Sequence, residues 1–180
     1  MEDHRCRTAI LPQVAVRLYP KPISRTKNCQ PVGMCFHPVY SPTRLLVTDM
    51  TLLNNESVIA FLGRFDSFND AILRTIEISY AKGGSRRICI YVGTRDTSVP
   101  ENEGWVTVCL IIDQVSDFCF ADVAKETIAV LSAGIHISWF GPLVGIDLGH
   151  FVDPPESVEE LKTSRVFVTG ASIGWTTGPY

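Results

Sequence analysis

Residues 87–112, RICIYVGTRDTSVPENEGWVTVCLII, decide the fold class of this chain. Two apolar runs within it, residues 87–92 and 105–112, are rich in isoleucine, valine and cysteine. Such residues pack well on a pleated surface and favour strands. A polar loop containing Pro100 and Gly104 separates the two runs. The stretch therefore predicts two consecutive strands, from which the other elements can be placed.

Upstream of these strands, the sequence predicts a hairpin and then a helix. Residues 45–53 and 57–65 are β-like runs separated by Asn54-Asn55-Glu56, a typical turn sequence. Asp66 or Ser67 then caps a helix, and Asp70 completes a Ser-x-x-Asp capping box. The helix would end at the glycine pair 83–84. Its apolar positions recur at helical spacing and are Phe68, Ile72, Leu73, Ile76 and Tyr80.

Downstream, the sequence predicts a second helix followed by further strands. Ser116 or Asp117 caps this helix and Gly134 ends it. Residues 135–139 alternate between apolar and polar, as in a half-buried strand. A short acidic helix at 156–161 and a last strand at 165–169 follow. The apolar stripe of the second helix consists of Phe120, Val123, Ala124, Ile128 and Leu131.

These elements predict an α+β fold. From residue 57 to residue 140 the order is strand, helix, strand, strand, helix, strand. Two principal helices on one face of a mainly antiparallel sheet would bury both apolar stripes.

The domain organisation is predicted as one domain with an extended segment on either side. Residues 1–44 hold six of the eleven prolines and predict an extended basic arm, with one edge strand at 14–19. Residues 45–170 would form a single α+β domain. Residues 171–180, which contain Gly178 and Pro179, predict a flexible glycine-rich tail.

Charge is distributed unevenly along the chain. Residues 1–44 have a balance of +5 and the remainder has a balance of −8, which together give the net charge of −3. A basic arm on an acidic body indicates an acidic partner for the arm or head-to-tail contact between copies. Ordinary solvated charge explains the same pattern.

An intracellular protein is expected, neither secreted nor membrane-spanning. The apolar runs are broken by charge well before the length of a bilayer span, and the first residues lack a secretory apolar segment. The six cysteines are accordingly expected to be reduced thiols.

The sequence predicts no catalytic residue, no metal ion and no cofactor. Cys29, Cys35 and His37 fall short of the four paired ligands that zinc requires. The glycine-rich stretch 168–174 is not followed by the helix that a dinucleotide site needs. An enzyme would require a cleft that gathers His136 or His150 with a thiol such as Cys119.

Sequence-specific binding of nucleic acid is not predicted either. RNA-reading sheets carry aromatic residues on their central strands, where these stack on bases. Residues 106–112 contain no aromatic residue, and Tyr91 is alone on the partner strand.

The element order, together with the basic arm, resembles the matrix proteins of rhabdoviruses, especially those of plant-infecting members. The likeness covers residues 58–148. It consists of a strand, a helix, the glycine-basic turn 83–87 leading into an apolar strand, a second long strand, another helix and residues 135–148.

This resemblance implies a non-enzymatic viral structural protein that self-assembles and bridges the nucleocapsid to the membrane during virion assembly. It would act in the host cytoplasm and in the virion. Its partners would be other copies of itself, the viral nucleoprotein and a peripheral membrane surface. The candidate contact residues, each also readable as solvated surface charge, are Arg5, Arg7, Arg17, Lys21, Arg25 and Lys27 on the arm and Arg86 and Arg87 at the turn. The alternative is a cellular ferredoxin-like regulatory or ligand-binding module.

Overall fold

The computed structural model describes residues 15–18, 50–80, 83–100, 104–121 and 129–180, which form two sheets and two short helices. The strands in chain order are β1 (Ala15–Leu18), β2 (Thr51–Leu52), β3 (Ala71–Tyr80), β4 (Arg86–Arg95), β5 (Trp105–Asp113), β6 (Asp117–Phe120), β7 (Ala129–Leu131), β8 (His136–Phe140), β9 (Leu143–Asp147), β10 (Val166–Gly170) and β11 (Ser172–Pro179). The helices are α1 (Ser57–Arg64) and α2 (Val158–Leu161), and a 3₁₀ turn spans Asp66–Phe68.

The larger sheet is built on the antiparallel strands β3, β4 and β5. Its strand order is β1-β3-β4-β5-β11-β2, and β7 also pairs with β3. All these pairs are antiparallel except β1 with β3. The smaller sheet has the order β6-β10-β9-β8 and is antiparallel throughout.

One face of the larger sheet forms the core. Because side chains alternate along a strand, Ile76, Ile90 and Leu110 lie side by side in three successive strands, and each is 2 % exposed or less. Helix α1 covers this face, and Phe61 packs 5.0 Å from the Trp175 ring of β11. Apolar residues of the smaller sheet belong to the same buried cluster.

The coarse fold prediction is confirmed, since the chain combines helices with a mostly antiparallel sheet. The strands predicted at 87–92, 105–112, 135–139 and 165–169 are present. The short acidic helix is also present as α2, where the Ser157 side chain accepts a hydrogen bond from the Glu160 amide at 3.1 Å. Of the predicted edge strand at 14–19, residues 15–18 form β1.

The predicted hairpin and first helix are wrong. Most of the run at 57–65, predicted as a strand, forms α1. The Asn54 side chain, just before this helix, accepts hydrogen bonds from the amides of Glu56 and Ser57 and so satisfies backbone donors at the helix start. The predicted helix from residue 66 onward consists of the 3₁₀ turn and the ten-residue strand β3. Of the strand predicted at 45–53, Thr51–Leu52 forms β2, and residues 45–49 lie outside the described residues.

The prediction of a second principal helix is also wrong at both ends of that helix. Asp117–Phe120 is β6, which pairs with β10, and Ala129–Leu131 is β7, which pairs with β3. Residues 122–128 lie outside the described residues. The predicted order of strand, helix, strand, strand, helix, strand is therefore not the order of the structure. Of the predicted elements on which the resemblance to matrix proteins was based, the structure contains the two central strands, the turn between residues 83 and 87, and the strands within residues 135–148.

The segment predicted to be a flexible tail is a strand of the larger sheet. Residues 172–179 form β11, which pairs with β5 over eight residues and with β2 on its other side. Ile173 and Gly174 are buried. Gly174 of this strand allows close packing, because a Cβ there would lie 2.6 Å from the Met50 side chain.

Candidate functional site

The second face of the larger sheet carries most of the sheet's charged and thiol side chains, together with the buried Ile111, and is the candidate functional site. The strand register places Glu77, Cys89 and Ile111 in one cross-strand row, with Tyr91 and Cys109 in the next. We call this surface the polar face. The polar face also carries Arg74, Arg87, Arg95, Trp105, Asp113 and Tyr180.

One end of the polar face holds Arg87 and Asp113, which are direct cross-strand partners. Arg87 donates two hydrogen bonds to the Asp113 carboxylate, at 2.6 and 2.9 Å. These bonds raise the pKa of the Arg87 guanidinium above its ordinary value. The predicted contact residue Arg87 is thus engaged by a carboxylate of its own chain.

Arg86, the other contact residue predicted at the turn, is also bonded within the chain. Its guanidinium donates to the Ser116 carbonyl oxygen at 2.7 Å and lies 5.6 Å from the Phe118 ring centroid. Arg86 therefore anchors the segment that follows β5.

An open pocket of about 420 Å³ surrounds the Arg87–Asp113 pair. Its wall includes Ser79, Ser85 and Gln114. Gln114 has a positive φ of 51°, a backbone conformation that is unfavourable for a residue with a Cβ. The pocket offers hydroxyl and amide groups to a small polar ligand.

The middle of the polar face brings two thiols together. The contact with Cys109 lowers the pKa of Cys89, assisted by the positive charge of Arg87, and the same contact raises the pKa of Cys109. The Tyr91 hydroxyl donates to Glu77 at 3.3 Å, and burial raises the pKa of Tyr91.

According to the sequence, an enzyme would need a cleft that gathers His136 or His150 with a thiol such as Cys119. Cys119 lies in β6 and His136 in β8, at opposite edges of the smaller sheet with β10 and β9 between them. Three strand spacings correspond to about 14 Å. The His136 ring instead contacts the Phe151 carbonyl oxygen at 3.2 Å. The structure does not bring these two residues together.

The other end of the polar face carries an aromatic–arginine cluster, formed by Arg74, Arg95, Trp105 and Tyr180. The Arg74 guanidinium carbon lies 3.8 Å from the centroid of the Tyr180 ring, and that of Arg95 lies 5.8 Å from the Trp105 ring. The two rings are 5.1 Å apart and inclined at 57°. Within the described residues, neither arginine belongs to an ion pair.

Sequence reasoning missed this cluster. Trp105 and Arg95 occupy opposite positions in β5 and β4, which a predicted hairpin of these two strands could have suggested. Tyr180 could not have been placed, because its strand had been predicted as a tail.

The predicted arm contacts are mostly outside the structure. Arg5, Arg7, Lys21, Arg25 and Lys27 lie outside the described residues. Arg17 belongs to β1, where its backbone is in register with Glu77 of β3.

Within the described residues, no three histidine, cysteine or carboxylate side chains are grouped to hold a metal ion. The same part of the chain contains no helix with the length and apolar character of a membrane span.

In comparisons with known proteins, no family model, curated protein or solved structure matched this chain.

Proposed function

We propose that this chain is a non-enzymatic viral structural protein of the matrix type, which self-assembles and bridges nucleocapsid to membrane in the host cytoplasm and the virion. The observation that carries the proposal is the outer edge of β8, the last strand of the smaller sheet. An edge strand presents unpaired backbone groups, which can pair with a strand of another copy.

The hairpin geometry identifies the backbone groups that are available. β8 and β9 are joined by two residues, and Gly141 has the positive φ of 63° that such a tight loop requires. Hydrogen-bonded and non-bonded pairs alternate in an antiparallel ladder. The N–H and C=O groups of Ile137 and Trp139 therefore point away from β9. In the part of the chain that the structure describes, they have no partner strand.

Apolar surface beside this edge adds to the proposal. Val152 is 86 % exposed, and it follows Phe151, whose carbonyl oxygen contacts His136 of β8. A strand added to β8 would cover apolar surface as well as backbone groups. Pairing of β8 with a different surface of the next copy, instead of with its β8, would give the open-ended assemblies that a matrix layer requires.

Contacts with the nucleoprotein and with a peripheral membrane belong to the same proposal. The basic arm, residues 1–44, has a balance of +5 in the sequence. Its arginines and lysines suit an acidic protein surface or anionic headgroups.

Sedimentation velocity over a range of protein and salt concentrations tests self-assembly. We expect wild-type protein to form large species whose size grows with concentration. Ser138→Lys places a charge midway along β8, where a lysine is hydrated at a free edge but loses water when another strand pairs. This variant should remain small. Ser132→Lys, an exposed position in the turn after β7, is the control of equal charge and should assemble normally.

A wild-type protein that stays a monomer or a fixed dimer under all conditions would exclude the matrix-type function. Equal assembly of the Ser138 and Ser132 variants would exclude the β8 edge as the contact.

The second candidate is a cellular regulatory or ligand-binding module, favoured by the pocket around Arg87 and Asp113. A ferredoxin-like order of elements is not retained in the described residues, because β3 replaces the first long helix and the described ends of the second are β6 and β7. A thermal-shift screen of small polar ligands distinguishes this function. Stabilisation that disappears in Arg87→Ala, together with a monomeric state, would support it over assembly.

A further inference from the structure

The aromatic–arginine cluster is built from four adjacent strands, and two of its side chains lie close to the backbone of β4. Arg74, Arg95 and Trp105 belong to β3, β4 and β5, and Tyr180 follows β11. Gly93 forms the floor: a Cβ there would lie 2.7 Å from the Tyr180 ring and 2.9 Å from the Arg74 Nε atom. The missing side chain lets the ring and the guanidinium group lie on the backbone.

The exposed parts of the cluster are planar. Trp105 is 37 % exposed and Tyr180 is 51 % exposed, and Arg95 is an exposed residue at the end of β4. Arg74 is stacked on Tyr180, and Arg95 is close to Trp105. Aromatic rings and guanidinium planes of this kind stack on unpaired bases, while the positive charges attract phosphates.

The end of the polar face that carries the aromatic–arginine cluster differs in charge from the end that carries Arg87 and Asp113. Arg87 is bonded to Asp113, and Arg64, on the other side of the sheet, is bonded to Asp96. In contrast, the contacts of Arg74 and Arg95 within the described residues are with aromatic rings, which leave the positive charge available to an anion.

We propose that the aromatic–arginine cluster binds single-stranded nucleic acid without preference for base sequence. Both rings contact arginines and are only partly exposed, so they offer π surface to a base next to positive charge instead of projecting freely as anchors into a bilayer. A duplex keeps its bases stacked internally and offers no face to these rings. The expected ligand is therefore an unpaired strand, with a base on Trp105 or Arg95 and phosphates near both guanidinium groups.

Fluorescence anisotropy of a labelled twelve-nucleotide oligouridylate with the full chain tests this proposal. Trp105→Ala should weaken binding by about tenfold to a hundredfold, the usual range for one stacked base. Trp105→Phe, which keeps an aromatic face, should recover most of the affinity. Tyr80→Ala is the matched control, because Tyr80 is 46 % exposed at the opposite end of β3.

The salt dependence of binding tests the role of the two arginines. For a single-stranded ligand, the logarithm of the binding constant falls by about 0.7 per neutralised phosphate for each tenfold increase in salt concentration. The double variant Arg74→Ala, Arg95→Ala should therefore lower the slope by about 1.4, whereas Arg165→Ala, an exposed residue before β10, should leave it unchanged. Thermal unfolding of each variant confirms that the fold is retained.

Three results would overturn the proposal. The first is that the oligonucleotide does not bind. The second is that the cluster variants and the control variants bind it equally well. The third is that the protein binds anionic phosphatidylserine vesicles through Trp105 but does not bind the oligonucleotide. The outcome is separable from that of the assembly test, since Ser138→Lys should bind the oligonucleotide like the wild type.

Discussion

Along β4, the side that carries Ile90 is sealed from solvent, whereas the side that carries Arg87 and Tyr91 stays partly exposed. Both sides belong to one strand with two hydrogen-bonded neighbours, so the backbone is equally constrained on each. The two sides differ in what packs against them. The core face lies under α1 and the apolar cluster, whereas the polar face carries charged, thiol and aromatic groups. Substitutions on the core face should therefore change stability, and those on the polar face should change binding.

The largest effect is expected from Ile90→Ala on the core face. Ile90 is 0 % exposed and is flanked by Ile76 and Leu110. Removing a buried isoleucine side chain costs about 2–5 kcal/mol through lost burial and the cavity left behind. Urea unfolding measures the loss. Thr75→Ala, on the polar face of β3, should cost less than about 1 kcal/mol. Similar losses at both positions would remove the distinction between the faces.

A smaller effect is expected at the ion pair that fastens α1 over the core face. Arg64 donates to Asp96 at 2.5 and 3.1 Å, and Ser98 donates to the same carboxylate at 2.6 Å. These bonds lower the pKa of Asp96 to about 2, from an ordinary value of 3.8. Asp96→Asn should lower the free energy of unfolding by about 1.5–3 kcal/mol at neutral pH.

The pH dependence of the Asp96 contribution follows from the lowered pKa. The stabilisation is fully present above pH 3.8 and is lost as the pH falls through that value towards 2. The difference in unfolding midpoint between wild type and Asp96→Asn should therefore shrink from pH 5 to pH 2. A difference that stays constant would show that ionisation of Asp96 is not involved.

A third substitution, Gly93→Ala, should separate binding from stability. The added Cβ meets the Tyr180 ring and the end of the Arg74 side chain, both of which can move aside. We expect a stability change within about 1 kcal/mol and weaker oligonucleotide binding, measured by urea unfolding and anisotropy respectively. A large loss of stability would mean that the aromatic–arginine cluster is part of the structural framework.

The smallest effect is expected from Tyr91→Phe in the middle of the polar face. The substitution removes one hydrogen bond, the 3.3 Å bond to Glu77, at a partly exposed position. The free energy of unfolding should fall by about 0.5 kcal/mol or less. A loss comparable to that of Ile90→Ala would show that the polar face also stabilises the sheet.

The strands that are rich in isoleucine, valine and cysteine could be predicted from the sequence. Segments whose apolar residues fit both a helical and a strand spacing were predicted wrongly. In β3, Ile72, Leu73, Ile76 and Tyr80 fit a helix, and the alternation of Ile76 and Ile78 with polar residues covers only the second half. A register shift between Leu73 and Thr75 changes the phase of the alternation and hides the strand from a simple count. The opposite error occurred in α1, where β-branched residues indicated a strand although Val58, Phe61 and Phe65 have helical spacing.

Much of the candidate site was not predictable, because it depends on which distant strands pair. The contact between Arg74 and Tyr180 joins residues more than a hundred positions apart. Two of the predicted contacts, Arg86 and Arg87, are bonded within the chain, since Asp113 and the Ser116 carbonyl lie opposite them across the β4–β5 pair. Local sequence contains no signal for either arrangement.

The position of β11 has a consequence for synthesis on the ribosome. Strands β3, β4 and β5 can pair as soon as they emerge, but β5 acquires its second neighbour only from residues 172–179. Strand β2, although made early, is held in the sheet by β11. A nascent chain that has reached the end of β10 therefore still exposes the edge of a strongly apolar strand. A pause of translation at this point would favour aggregation between nascent chains over completion of the fold.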